Sequence, residues 1–189
     1  MDKTIRTFIA IELDASIQKA LQNIQDQLKK AQCEVKWVKP ENIHVTLKFL
    51  GDISSDQVEL IEQILERTLA PFRSFPMEIT HVGAFPKIEN PHIIWVGTNP
   101  QQHTVKDMAL FLEKQLEMAG FKKEDRDFAP HITIGRLKLS TNKPALVKAI
   151  KSVAIAPPLL QLVQKITLFK STLSSQGSIY EALRTVQLK

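Results

Sequence analysis

The chain has 189 residues, 43% hydrophobic and 24% charged, with 25 Lys and Arg against 20 Asp and Glu for a formal net charge of +5. That is the composition of an ordinary globular protein, and mild basicity suits a polyanionic ligand such as RNA without requiring one. A single cysteine, Cys33, excludes an internal disulfide and a zinc site built from cysteines, and no apolar run approaches the ~18 residues of a membrane span.

Met1-Asp2-Lys3-Thr4 leads into a strand-like run rather than a signal peptide, so a cytoplasmic protein is expected. Residues 5–13 are apolar and β-branched and predict a buried strand. Asp14 or Ser16 could cap the helix after it, in which Ile17, Ala20, Leu21, Ile24 and Leu28 recur on one face. A short extended piece, Val35 to Val38, ends at Pro40, and a strand from Ile43 stops at Gly51. Ser54, Ser55 or Asp56 could cap a second helix, striped by Val58, Ile61, Leu65 and Leu69. Met77 to Val82 reads as extended, Ala84 to Pro91 as a loop because of Pro86 and Asn90-Pro91, and His92 to Thr98 as a strand. A third helix carries Val105, Met108, Ala109, Leu112 and Leu116 and stops at Gly120. A charged segment, Lys122 to Ala129, precedes another strand, and a short helix is expected over about 143–152. Two strands near 160–171 and 178–188 flank a hairpin loop from Ser174 to Ser178. This alternation predicts an α+β fold of antiparallel or mixed sheets covered by helices.

Two stretches carry the chemistry. Ile43-His44-Val45-Thr46-Leu47 and Pro130-His131-Ile132-Thr133-Ile134 both read His, apolar, Thr, apolar on a predicted strand. Side chains alternate along a strand, so His44 and Thr46 share one face and His131 and Thr133 share one, each pair ~7 Å apart. Strand, helix, His-x-Thr strand, helix occurs twice, which suggests two similar lobes with one motif each. If the copies meet across a cleft, two acid–base groups and two hydroxyl donors converge, a set suited to splitting a phosphodiester.

The runs Trp37 to Gly51 and Phe128 to Arg136 resemble the two signatures of the two-histidine phosphoesterase superfamily, and within it the bacterial RNA 2′,3′-cyclic phosphodiesterases, also named 2′-5′ RNA ligases. Arg6-Thr7-Phe8-Ile9-Ala10-Ile11 and Tyr180-Glu181-Ala182-Leu183 are similar to that branch too. The resemblance implies a single bilobal domain over residues 1–189, its two α+β lobes related by a pseudo-twofold, with both motifs lining a central groove. It implies cofactor-free, metal-independent hydrolysis of 2′,3′-cyclic phosphates at RNA or oligonucleotide ends to 2′-phosphates. By carry-over His44 is the proton donor, His131 the proton acceptor, and Thr46 and Thr133 bind the phosphate oxygens; the symmetry of the motifs alone permits the reverse order. A monomer is expected.

Arg136 ends the second signature and could hold the phosphate, yet simple alternation puts it on the face opposite His131, so a bulge or twist is needed. Lys48 shares the His44 face and is expected in solvent. Phe8, Trp37, Phe85 and Trp95 could stack on a base but read first as core, and His81, His92 and His103 as structural or surface residues. Other readings of the same residues are a small cyclic-phosphate phosphodiesterase, the reverse joining reaction, and an RNA-binding module without turnover.

Overall fold

The computed structural model describes residues 4–138, 143–175 and 177–189; Met1 to Lys3, and Gln176 of the expected hairpin loop, lie outside the described residues. In chain order the elements are β1 (Ile5–Glu12), α1 (Ala15–Lys29), β2 (Val35–Trp37), β3 (His44–Ile53), α2 (Ser55–Leu69), β4 (Phe75–Lys87), β5 (Asn90–Thr98), α3 (Thr104–Met118), β6 (His131–Leu137), α4 (Lys143–Ser152), β7 (Leu159–Val163), β8 (Lys165–Ser174) and β9 (Gly177–Gln187). One 3₁₀ turn, Pro40–Asn42, precedes β3.

The strands form one curled sheet in the order β7-β4-β5-β6-β3-β1-β8-β9, with β2 added beside β6. Every pairing is antiparallel. The order has a centre, between β6 and β3, and reads alike outward from it. Each half has its motif strand innermost, then the strand before the intervening helix (β1 or β5), then two outer strands. The helices exchange halves. α1 leaves β1 but packs with α4 beneath β6 and β7, while α3 leaves β5 but packs with α2 beneath β3. This is the two-lobed α+β architecture that the repeated order of elements suggests, with the pseudo-twofold that the family resemblance implies.

The helices form where the apolar stripes predict them. Ile17, Leu21, Ile24 and Leu28 are buried on α1, Val58, Ile61, Leu65 and Leu69 on α2, and Val105, Met108, Ala109, Leu112 and Leu116 on α3. Burying each larger apolar side chain contributes about 1.5–3 kcal/mol. Gln57 accepts from the Ser54 backbone N–H at 2.9 Å at the start of α2, and Gly120, at φ 90°, follows α3 in the left-handed conformation. The sheet faces meet different surroundings. Ile9, Ile11, Val45, Leu47, Ile132 and Ile134 join the main core under the helices. Phe8, Ala10 and Phe169 form a second, small cluster on the opposite face with Tyr180 against it.

Three expectations need correction. Ala84 to Pro91 is not a loop: β4 and β5 pair out to Lys87 and Asn90, leaving only Ile88 and Glu89 to turn. Pro86 faces Pro91 where the register slips, a place where a missing N–H is tolerated. The strand through the first motif does not stop at Gly51. It continues to Ile53 through a bulge, and Gly51 takes φ 74°, which a residue with a Cβ resists. The stretch 160–171 is two strands, not one: β7 pairs β4 at one edge of the sheet, and β8 pairs β1 in the other half.

Candidate active site

The two motifs meet at the sheet's centre. β3 and β6 share a ladder contact at Val45 and Ile132. Carried one residue each way, that antiparallel register sets His44 across from Thr133 and Thr46 across from His131, on the face away from the helices.

Matching bulges follow both motifs. Between β1 and β3 the register steps from Ala10–Thr46 to Ile9–Lys48, leaving Leu47 extra. Between β5 and β6 it steps from Trp95–Thr133 to Ile94–Gly135, leaving Ile134 extra. A bulge puts two successive side chains on one face and reverses the alternation beyond it. Arg136 is thereby returned to the His131 face, as the alternation argument required, and its charge lowers the proton affinity of His131. The same reversal overturns the expectation for Lys48. It is not solvated: its side chain is 1% exposed beneath the sheet, and Nζ donates to Glu113 Oε1 at 2.9 Å and to the Lys122 carbonyl at 2.6 Å. Phe49 takes the place on the site face, 54% exposed.

His44 is held at both ring nitrogens. Its Nδ1 donates to the Asn42 carbonyl at 2.8 Å, fixing the tautomer, so in the neutral ring Nε2 accepts from Thr46 Oγ1 at 3.0 Å. Phe8, with its ring centroid 4.8 Å away, and Tyr180, edge-on at 5.3 Å, touch each other at 4.9 Å and together form an aromatic corner beside it. Asn42 also donates from Nδ2 to the Ser178 carbonyl at 2.7 Å, tying the β8–β9 hairpin to the turn before the motif. His131 repeats the pattern loosely. Nδ1 donates to the Ala129 carbonyl at 2.7 Å, Phe85 stands edge-on at 5.0 Å and Trp95 at 6.3 Å. Among the described residues nothing hydrogen-bonds its Nε2.

Both imidazoles are held below the ordinary histidine value of 6.5. Burial is the main cause for each, opposed by the carbonyl on Nδ1. Repulsion from His131 lowers His44 further, and repulsion from Arg136 lowers His131.

Of the aromatic candidates, Phe8, Phe85 and Trp95 stand at the histidines, whereas Trp37 packs against the main core. Phe8 is at once core and wall, 3% exposed yet on the site face. His81 lies flat over Gly97, the residue paired with His131, where any Cβ would collide with the imidazole, and it meets Trp95 edge-on at 5.4 Å. His92 is exposed, and His103 precedes α3. Tyr180 and Asn42 were assigned no role from the sequence. Both lie inside stretches that carry the family resemblance, but only pairing across the fold brings Tyr180 to His44. Among the described residues no cluster of three or more His, Cys, Asp or Glu is placed to hold a metal ion, and no helix is long and apolar enough to cross a membrane.

Comparison with known proteins agrees with this geometry. The family model "LigT like Phosphoesterase" matches twice, over residues 11–95 and 96–180, and each match contains one motif. An RNA 2′,3′-cyclic phosphodiesterase of Methanothermobacter thermautotrophicus is 34% identical over 97% of this chain and 99% of its own. One from Thermotoga maritima is 33% identical over 98% and 96%. The crystal structure of Escherichia coli LigT complexed with 3′-AMP superposes with a TM-score of 0.77 at 23% identity, covering 98% of this chain and 99% of the other, a likeness of fold.

Proposed function

Because both halves match its model and relatives a third identical span nearly the whole chain, this protein belongs to the LigT-like phosphoesterase family, and we propose that it opens 2′,3′-cyclic phosphates at RNA ends to leave 2′-phosphates. The observation that carries this reading is the Val45–Ile132 contact, which brings two His-x-Thr motifs together on one face with both Nδ1 atoms committed to carbonyls, the Nε2 of His44 on the hydroxyl of Thr46 and the Nε2 of His131 without a partner among the described residues.

In the proposed reaction the cyclic phosphate lies between the imidazoles, in a central groove of one bilobal domain, and Thr46 and Thr133 donate to its non-bridging oxygens with Arg136 adding charge. His131, whose Nε2 lone pair is unoccupied among the described residues, takes a proton from water as the water oxygen attacks phosphorus. The bond from phosphorus to the 3′ oxygen breaks, and His44 delivers its proton to that oxygen. Each positioned acid or base typically contributes about 10²–10⁴-fold. Neither step calls on a metal, and the protein acts on its substrate as a cytoplasmic monomer. A donor must carry a proton, yet His44 is held below 6.5 when free. The bound phosphate anion offsets this by stabilising the imidazolium.

The test is turnover of a short RNA ending in a 2′,3′-cyclic phosphate, with EDTA present. The wild type is expected to yield the 2′-phosphate, and His44→Ala and His131→Ala to lose about 10²–10⁴-fold in kcat each while remaining folded. Full activity in either variant, or a requirement for added metal, would overturn the two-histidine mechanism.

A further inference from the structure

Beside His44 the structure has a cleft of about 480 Å³, between the 3₁₀ turn and the β8–β9 hairpin. It reaches His44 but not His131, so it lies to one side of the reacting centre. The volume falls within the range of small-ligand sites, about 300–1,000 Å³. Its outer wall is fixed by two contacts already described, Asn42 to the Ser178 carbonyl and Tyr180 against His44. Ile179, 59% exposed, adds an apolar surface to the lining.

The charges in this cleft do not suit a phosphate chain. Glu12, Lys39 and Glu41 line it, two acidic groups against one basic. Glu12 is already engaged, with Lys165 Nζ at 2.7 Å and Thr167 Oγ1 at 3.1 Å. Glu41 is exposed and has no hydrogen bond or ion pair among the described residues. The part of an RNA end that carries no charge is the nucleoside, and Ile179, Tyr180 and Phe169 offer its base apolar and aromatic contact. An ionised carboxylate accepts hydrogen bonds and donates none. It therefore favours a base presenting an amino group over one presenting a carbonyl there.

Resting on the hydrolytic reading above, we propose that this cleft holds the base of the nucleotide whose cyclic phosphate is opened, and that Glu41 selects amino-bearing bases over uracil. Cytosine and uracil give the sharpest comparison, because they match in size and differ along one edge, cytosine with the N4 amine beside a bare N3 and uracil with the O4 carbonyl beside an N3–H, and the Glu41 contact is assigned to the N4 position. The nucleotide's ribose then lies at His44, where the 3′ oxygen leaves, and the charged chain runs toward the Arg136 half.

The experiment measures kcat and KM for cytidine and uridine 2′,3′-cyclic phosphates, with wild type, Glu41→Gln and Ile179→Ser. It adds calorimetric binding of cytidine and uridine 2′-monophosphates to each. The wild type is expected to favour cytidine by about five- to tenfold, mostly in KM, with the ratio falling to about twofold or less in Glu41→Gln, which can donate as well as accept. Ile179→Ser is expected to raise KM for both substrates by a similar factor. A cytidine preference unchanged in Glu41→Gln, no preference in the wild type, or unaltered KM in Ile179→Ser would each overturn the assignment. Should the wild type turn over neither these substrates nor the short RNA ending in a 2′,3′-cyclic phosphate, the hydrolytic reading falls; should it turn over the RNA alone, that reading stands; in both cases binding decides the cleft. A Glu41-dependent preference for cytidine 2′-monophosphate supports it, and equal binding overturns it.

Discussion

The two halves repeat one backbone and surround it differently. In the first, His44 stands against a corner formed by Phe8 and Tyr180, its Nε2 is held by Thr46, and the motif strand is pinned to α3 by an ion pair between Lys48 and Glu113. In the second, His131 stands more openly beside Phe85 and Trp95, its Nε2 has no partner among the described residues, and the strand is pinned by a neutral group: Gln25 of α1 donates from Nε2 to the carbonyls of Val38 and Ile134. Both clamps grip the strand at its bulge, and both come from a helix that began in the opposite half. The common elements are those that aim a His-x-Thr pair at a shared centre. The walls beside each imidazole differ, and the proposed division into proton donor and proton acceptor would draw on such a difference.

The clamps give the largest test of the comparison. Lys48→Met removes one partner of a nearly dry ion pair and strands Glu113, which also accepts from the Glu124 backbone at 2.9 Å. Breaking such a pair costs about 3–5 kcal/mol. Gln25→Leu keeps the volume and removes the side-chain donor from the Val38 carbonyl, while the Ile134 carbonyl keeps the Val38 N–H at 3.0 Å, a loss of about 1–3 kcal/mol. Urea unfolding checks both. A loss in Gln25→Leu as large as in Lys48→Met would mean that the charge in the first half adds nothing to its hold.

Lys48 also marks the limit of what could be read from residues alone. Helix stripes, the motif strands and the repeated order were legible because each is a periodicity within one segment. The histidines were legible because a His-x-Thr pair occurs twice with matching neighbours. Bulges are not written that way: Leu47 and Ile134 are ordinary strand residues until a neighbouring strand fails to match them. That one missing feature sent Lys48 to solvent in the sequence reading and left Arg136 needing a twist. Pro86 and Pro91 misled for the opposite reason. Local turn chemistry argued for a loop, and pairing between β4 and β5 prevailed because both prolines sit where the ladder slips.

The hydroxyls provide a smaller contrast. Thr133→Val is expected to lower kcat/KM by about tenfold, the worth of one hydrogen bond to a charged oxygen. Thr46→Val should cost more, about thirtyfold, because it also frees the His44 ring from its 3.0 Å bond. The surplus belongs in kcat, since ring placement matters most when the proton moves. Equal losses from the two variants would assign Thr46 to phosphate binding alone.

The walls provide the smallest effect and the most direct one. Burial is the chief reason that both imidazoles lie below 6.5, so removing a wall should raise the ring it shelters. In Tyr180→Ala the NMR titration midpoint of His44 is expected to move up while that of His131 stays; in Phe85→Ala His131 is expected to move up while His44 stays. Stability carries the same sign. With folded values below the unfolded 6.5, the unfolded chain takes up protons first as pH falls, so stability present above 6.5 is lost as pH drops through the folded values. Tyr180→Ala should make that decline shallower. If either variant shifts both histidines equally, repulsion between the two rings outweighs their separate walls, and the site must be treated as one coupled dyad rather than two differently sheltered groups.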